Sequence, residues 1–334
     1  MAPDSVRLNI FRYDAFLGES HSYDSYDLTY HQNDQLLDVL EMIKTEIDHS
    51  LSYRRSCRHG ICGSCAMKVN GKPVLACSTP VRDLVREFGP KLTVDPLDQS
   101  RVVRDLICDM DMFWEKYTRS APFLEPVTVQ ASSPGPAAAV SAEPLDDVKT
   151  PLIPLIFSGS TNAIDDADHC IMCGACYAAC PVVPLQPDFL GPAAITRSYR
   201  FIKDVRDAHP GRLAAVGEAG SGVWECIKCL KCTEVCPKQI DPFSKLSRLH
   251  QEVLRSGSSP GGIRARHTSG FQLNLLLNGL LNEFPLAVFA MRFRMITMLR
   301  RGIRMFLHGK LVINPLRPRS RGYRQIRRLM RRSR

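Results

Sequence analysis

Twelve of the thirteen cysteines in this sequence fall into three close-spaced groups, and thiolates at such spacing bind metal. Cys57, Cys62, Cys65 and Cys77 read C-x4-C-x2-C-x11-C. The first three match the plant-type arrangement that holds a 2Fe–2S cluster. Gly60, Gly63 and Ser64 are small, so the loop can fold over a cluster with backbone N–H groups pointing at its sulfurs. Hydrogen bonds of that kind stabilise the reduced state and help set the potential. The alternative is a four-cysteine zinc site. Such sites usually pair two C-x2-C knuckles, which this loop with its distant fourth cysteine matches poorly.

Cys170, Cys173, Cys176 and Cys180 form C-x2-C-x2-C-x3-C followed by Pro181, and Cys226, Cys229, Cys232 and Cys236 repeat the pattern before Pro237. A duplicated run of this form is the bacterial ferredoxin pattern, in which the fourth cysteine of each run ligates the other run's cluster. The expected ligand sets are therefore Cys170, Cys173, Cys176 and Cys236 for one 4Fe–4S cluster, and Cys226, Cys229, Cys232 and Cys180 for the other. Swapped ligands tie the two segments together, so losing a cluster should unfold the domain. Cys108, in "DLICDMDMF", has no partner at metal spacing and reads as a small core residue on an apolar helix face.

These cysteines need a scaffold. "VRLNIFRY" alternates Val6, Leu8 and Ile10 with polar neighbours, as a half-buried strand does. "NDQLLDVLEMIKTEI" spaces Leu36, Leu37, Leu40, Ile43 and Ile47 as a helix, with Asn33 or Asp34 as cap. Asn70-Gly71 signals a type I′ hairpin, "KLTVDPL" a further strand and "RVVRDLICDMDMFWEKY" a helix. Together they make a small α+β unit over residues 1–120. A Pro/Ala/Ser-rich linker follows over 121–161, with an apolar "PLIPLIF" that could dock on a domain surface. Amphipathic "GPAAITRSYRFIKDVRDAH" and "DPFSKLSRLHQEVLRSG", the latter capped by Asp241 with Pro242 at its first turn, define an all-helical domain over 162–257.

The net charge of +10 is unevenly spread: Ser256 to Arg334 hold 17 Lys and Arg against one acid, Glu283, leaving the preceding residues at −6. The extension 258–334 is thus basic and, by its pattern, helical. Its apolar stretch is interrupted by polar residues and Pro285, so a membrane-spanning helix fits it poorly and an interfacial amphipathic element fits better. Arginines there would attract anionic lipid. Stacking aromatics are nearly absent, so no nucleic acid is expected. The N-terminus lacks the basic-then-apolar pattern of a secretory signal, and without export so many cysteines point to metal ligation in a reducing cytoplasm rather than to disulfides.

"SCRHGICGSCAMKVNGKPVLAC", "CIMCGACYAACP" and "CTEVCPKQIDP" resemble the three motifs of the iron–sulfur subunits of succinate dehydrogenase and fumarate reductase. The resemblance implies a β-grasp plant-type ferredoxin domain followed by an all-helical bacterial-ferredoxin-like domain. It implies a flavoprotein partner carrying covalent FAD and a chain that passes electrons from that flavin toward a quinone at the membrane. The enzyme label would belong to the complex: no Ser/His/Asp grouping, phosphate-cradling glycine loop or carboxylate pair provides substrate chemistry, and no residue is expected to be catalytic.

Three departures from the better-known members stand out. Most of those hold a 3Fe–4S cluster at the third site because an apolar residue replaces its middle cysteine; here Cys229 is present, so a second 4Fe–4S cluster is expected. A His and a Trp that help form their quinone pocket are matched by Ile227 and Leu185. The basic extension has no counterpart in them. All three differences resemble a branch whose membrane partner is like the cysteine-rich subunit of heterodisulfide reductase. The expected setting is cytoplasmic, peripheral on the inner face of the cell membrane. The alternatives are service to another flavoprotein or heterodisulfide-reductase-like complex, and a nucleic-acid-binding protein with structural clusters.

Overall fold

The computed structural model describes residues 4–15, 18, 20–97, 101–125, 164, 166–256, 262–279, 281, 283–292, 299–309 and 322–332. The alternation of Val6, Leu8 and Ile10 produces strand β1, Asp4–Arg12, with those three side chains buried. It pairs antiparallel with β2, Ser22–Tyr30, and parallel with β5, Lys91–Asp95. Strands β3, Ala66–Val69, and β4, Lys72–Leu75, form the expected hairpin. Asn70 and Gly71 both take positive φ, 47° and 82°, as a type I′ turn requires. The mixed sheet runs β2-β1-β5-β3-β4.

Helices α1, Leu36–Met42, and α2, Val81–Phe88, bury Leu36, Leu37, Val39, Leu40, Val81 and Leu84 in the same core as the inner face of the sheet. The cap of α1 is Gln35 rather than Asn33 or Asp34. The Gln35 N–H donates to the Asp38 carboxylate at 2.9 Å, while Asp34 accepts from His31 instead. The helix then widens into a π turn over Ile43–Ile47, where the Asp48 N–H donates to the Ile43 carbonyl. That turn rotates Ile47 outward, to 55% exposure, although its spacing placed it in the core.

The helix expected over 101–117 is half hairpin. Strands β6, Val102–Arg104, and β7, Ile107–Cys108, pair antiparallel before α3, Asp111–Arg119. The cause is tertiary. Asp105, 3% exposed, accepts from the N–H groups of Tyr13 and Ser52 and from Arg12, and these partners hold a turn where local preference alone favours helix. Cys108 therefore lies on a strand. It is buried with Leu97 and Ala178, and its thiol donates to the Leu97 carbonyl.

The second half supplies α4, Ala175–Ala178; α5, Gly191–Ile202; α6, Arg212–Val216; α7, Lys231–Glu234; and α8, Pro242–Ser256. Asp241 caps α8, accepting from the Ser244 N–H at 3.2 Å. The chain divides into two compact units, one of Met1–Arg212 with Cys226–Ser247, the other of Leu213–Glu225 with Arg248–Arg334. Within the first unit the start of the expected linker is held: the Arg212 guanidinium donates to the carbonyls of Ser120, Ala121 and Phe123. The rest of that linker, with "PLIPLIF", lies outside the described residues.

The second unit contains α9, Ile263–Asn278; α10, Glu283–Met291; α11, Leu299–Leu307; and α12, Tyr323–Arg332. Helices α9 and α10 pack at Gly270, where a Cβ would lie 2.7 Å from the Phe289 ring. The Arg266 guanidinium donates to the Ala290 carbonyl. Among the described residues no helix is long and apolar enough to cross a membrane.

Candidate metal centres

The β3–β4 hairpin brings the first cysteine group together. Its register pairs Ala66 with Leu75, so Cys65 just before β3 meets Cys77 just after β4. The Ala76 N–H donates to the Cys65 carbonyl, and the Cys77 N–H to the Cys65 sulfur at 3.5 Å. Between Cys57 and Cys65 the chain turns at Arg58, Gly60 and Gly63, all left-handed. Those turns aim the N–H groups of His59, Ile61 and Cys62 at the Cys57 sulfur and that of Gly60 at the Cys77 sulfur, at 3.2–3.4 Å. Small residues at 60 and 63 thus do what their size suggested. Burial pushes the Cys65 thiol up to about 12; Cys62, nearer solvent, is pushed up by burial but carried down to about 6 by hydrogen bonds from Ser64 and Cys57.

The two C-x2-C-x2-C runs have matching backbones. The residue before the second cysteine is left-handed in each, Met172 at φ 53° and Lys228 at φ 60°. So is the residue after it, Gly174 at φ 80° and Leu230 at φ 65°. Each run then enters a one-turn helix, α4 or α7, that carries its third cysteine. These helices pack together. The Lys228 N–H donates to the Cys226 sulfur at 3.4 Å, and the Met172 N–H does the same for Cys170.

The fourth cysteine of each run lines a cavity with the first three cysteines of the other run. One is lined by Cys170, Cys173, Cys176 and Cys236, with Thr196, Ile240 and Pro237 among its other walls. The second is lined by Cys180, Cys226, Cys229 and Cys232, with Phe189, Ile227 and Phe243. Four thiols ring each of these small apolar chambers, a donor set that suits an iron–sulfur cluster. Burial raises the thiols of Cys173, to about 11, and Cys232, to about 12. Cys229 and Ile227 are exposed, as is Leu185 at 80%.

The first cysteine group and the first run are directly joined. Ile171 and Cys173 pack against the core of the sheet, and Gly63 abuts the Cys173 backbone. Gly174 abuts Met110, with only 2.9 Å between a Cβ there and the Met110 methyl. Spacing marked the cysteines but gave no signal for Met110, nor for Tyr117, whose hydroxyl feels the Cys170 charge and is hydrogen-bonded with Arg197. Those contacts exist only once the two halves fold together.

Comparison with known proteins places both cysteine-bearing regions within described families. Residues 7–115 match the family model of a 2Fe-2S iron-sulfur cluster binding domain, and residues 166–240 that of a 4Fe-4S dicluster domain. The fumarate reductase iron-sulfur subunit of Haemophilus influenzae is 35% identical over 243 residues, covering 73% of this chain and 91% of its own. That of Mycobacterium tuberculosis is 34% identical with the same coverage of both chains. The mitochondrial succinate dehydrogenase [ubiquinone] iron-sulfur subunit of Dictyostelium discoideum is 34% identical, covering 73% of this chain and 81% of its own. In fold, the chain is similar to one in the apo Sdh1 complex of Mycobacterium smegmatis, at a TM-score of 0.62 and 24% identity, over 78% of this chain and 99% of that one.

Proposed function

This chain belongs to the family of fumarate reductase and succinate dehydrogenase iron–sulfur subunits, and we propose that it relays electrons singly through three centres between a flavoprotein and a membrane-bound partner. Electron transfer within such an oxidoreductase complex is the family's function; substrate chemistry lies with other subunits. Cys57, Cys62, Cys65 and Cys77 hold a 2Fe–2S cluster in a β-grasp domain and face the flavin. Cys170, Cys173, Cys176 and Cys236 hold a 4Fe–4S cluster as the middle relay, in the helical domain. Cys180, Cys226, Cys229 and Cys232 hold a second 4Fe–4S cluster facing the membrane partner, which is of the cysteine-rich kind.

The observation that carries this reading is the crossed lining of the two cavities by Cys236 and Cys180. When bound, such clusters supply one-electron redox chemistry at potentials set by their surroundings. The protein's part is to position and shield. Backbone N–H groups turned inward by left-handed residues offset negative charge on the thiolates. Apolar walls exclude water. The close approach of Gly63 to Cys173 keeps the first two sites adjacent.

The basic extension seats the subunit peripherally at the inner face of the cell membrane, against anionic lipid. Its described helix α11 supports this, exposing Arg300, Arg301 and Arg304 alongside Ile303, Met305 and Leu307. The test is anaerobic iron quantitation with redox-monitored EPR on the purified chain: about ten irons are expected, in three reversibly reducible centres. A colourless, zinc-binding chain would refute the assignment.

A further inference from the structure

Lys116 on α3 is 3% exposed, and no carboxylate among the described residues forms an ion pair with it. Its ammonium lies over the ring of Tyr177, 5.2 Å from the centroid. Taking an ammonium out of water without a paired anion is expensive, and the aromatic face offsets only part of that penalty. Tyr177 cannot swing aside. It is 3% exposed, Phe113 meets its ring edge-to-face at 5.5 Å, and a Cβ on Gly191 would come within 2.9 Å of it.

The ring directly follows Cys176 and lies three residues before Cys180, so a cation fixed to it is fixed relative to both; of the two, Cys180 is the one whose charge acts on Lys116 and on Tyr177. Burial and the like charge of Arg119 lower the pKa of Lys116, while Asp188, Glu115 and Cys180 favour its charged form. Asp188 and Glu115 lie toward solvent; Cys180, buried, becomes an anion when it ligates iron. The buried cation and the buried thiolate answer each other's missing charge.

We propose that Lys116 is a positioning residue for the third centre: its ammonium, pinned over Tyr177 beside the Cys180 segment, is a fixed counter-charge that raises that centre's reduction potential. The inference rests on the assignment of Cys180 to that centre. Reduction adds a negative charge in a low-dielectric site, so a nearby cation stabilises the reduced state more than the oxidised one. An additional thiolate such as Cys229 acts in the opposite direction, and Lys116 partly offsets it.

The experiment is an EPR-monitored redox titration of all three centres in the purified complex, for wild type, Lys116→Met, Lys116→Gln and Lys116→Arg, with iron content and thermal midpoint measured alongside. In the two uncharged variants the equilibrium constant for reducing the third centre is expected to fall about tenfold, a one-electron shift of about 59 mV to lower potential. The other two centres should move less, and Lys116→Arg should stay near wild type. If Lys116→Met does not fold, Gln against Arg decides. No shift at the third centre, an equal shift at all three, or an Arg variant that shifts as far as Gln would each overturn the proposal. A wild type with three irons at this centre would sink the role of Cys229 alone, because Cys180 ligates either form.

Discussion

Gly63 and Cys173 approach so closely that a Cβ on the glycine would lie 2.8 Å from the Cys173 Cα and 2.9 Å from the Ile171 carbonyl oxygen. Both neighbours are backbone, or fixed by it, and Gly63 is itself left-handed at φ 71°. Gly63→Ala therefore meets backbone strain and a steric clash together. It is expected to lower stability by about 2 kcal/mol or more and to slow electron passage from the first centre to the second. Thermal melting and stopped-flow reduction by dithionite check the two effects; a variant that melts and reduces as wild type does would show that the loops are free to separate.

Cys229 lines the second cavity and is exposed, whereas Cys232 behind it is buried. Cys229→Ala removes one corner ligand and leaves Cys180, Cys226 and Cys232 in place. The expected result is loss of about one iron per chain, with a three-iron EPR signal in the oxidised protein that anaerobic wild type lacks. Potential at that site should rise, since one thiolate is gone. A three-iron signal already present in never-aerated wild type would remove Cys229 from the ligand set.

The matched runs make a sharper comparison. Gly174 and Leu230 occupy equivalent left-handed positions, but Gly174 faces Met110 while Leu230 is 46% exposed. Leu230→Gly relieves left-handed strain of about 1 kcal/mol while freeing the unfolded chain by a similar amount, so its stability is expected within about 1 kcal/mol of wild type. Gly174→Leu meets the Met110 methyl and must hold a left-handed φ of 80°, so it should lower melting midpoint and iron content more than Leu230→Gly does. Iron content and melting midpoint of the two variants read this asymmetry directly.

The cysteine groups stand out in the sequence by their spacing, and the structure brings the cysteines of each expected set together; the Asn70-Gly71 turn stands out because two positive φ angles demand such residues. What escaped the reading depends on distant partners. The β6–β7 hairpin exists because Asp105 is held by Arg12, Tyr13 and Ser52, far away in sequence. Strand β2 gives little sequence signal because "SYDSYDLTY" is mostly solvent-facing, with only Leu28 and Tyr30 buried, so it carries little apolar alternation. In the site, Lys116 carries no local signal at all. A lysine on an amphipathic helix ordinarily faces water, and here the packing of α3 on Tyr177 and on α5 accompanies the burial of this one.

Asp48 gives the N-terminal sheet an acid-sensitive clasp. Hydrogen bonds from Ser50, and then from Tyr26 and Arg12, outweigh burial and hold its carboxyl well below the usual carboxylate range. A depressed folded-state pKa means stability that is complete above the unfolded value of about 3.9 and is lost as pH falls from there through the folded value. Asp48→Asn should destabilise by about 1–3 kcal/mol at neutral pH, leaving Arg12 with Asp24 and Asp105. Below about pH 4 the gap to wild type should close. Melting midpoints across pH 3 to 7 check it; parallel curves would mean that Asp48 contributes no charge to the clasp.

Helix α12 offers the most direct test of membrane seating. Arg324, Arg327 and Arg328 are exposed on it, while Tyr323 and Ile326 are half-buried. Near an anionic surface each arginine contributes about 1 kcal/mol, so replacing all three with Gln should weaken binding by about two orders of magnitude. The measurement is sedimentation of the full chain with phosphatidylserine-containing vesicles and with neutral ones, at two salt concentrations. Binding should need the anionic lipid and fall with salt, because the Debye length shortens from about 10 Å at 0.1 M toward 3 Å at 1 M. Equal binding to neutral vesicles would make the extension's apolar side the anchor. No binding to either, in a chain that still assembles with its partner subunits, would make this helix a protein-docking element.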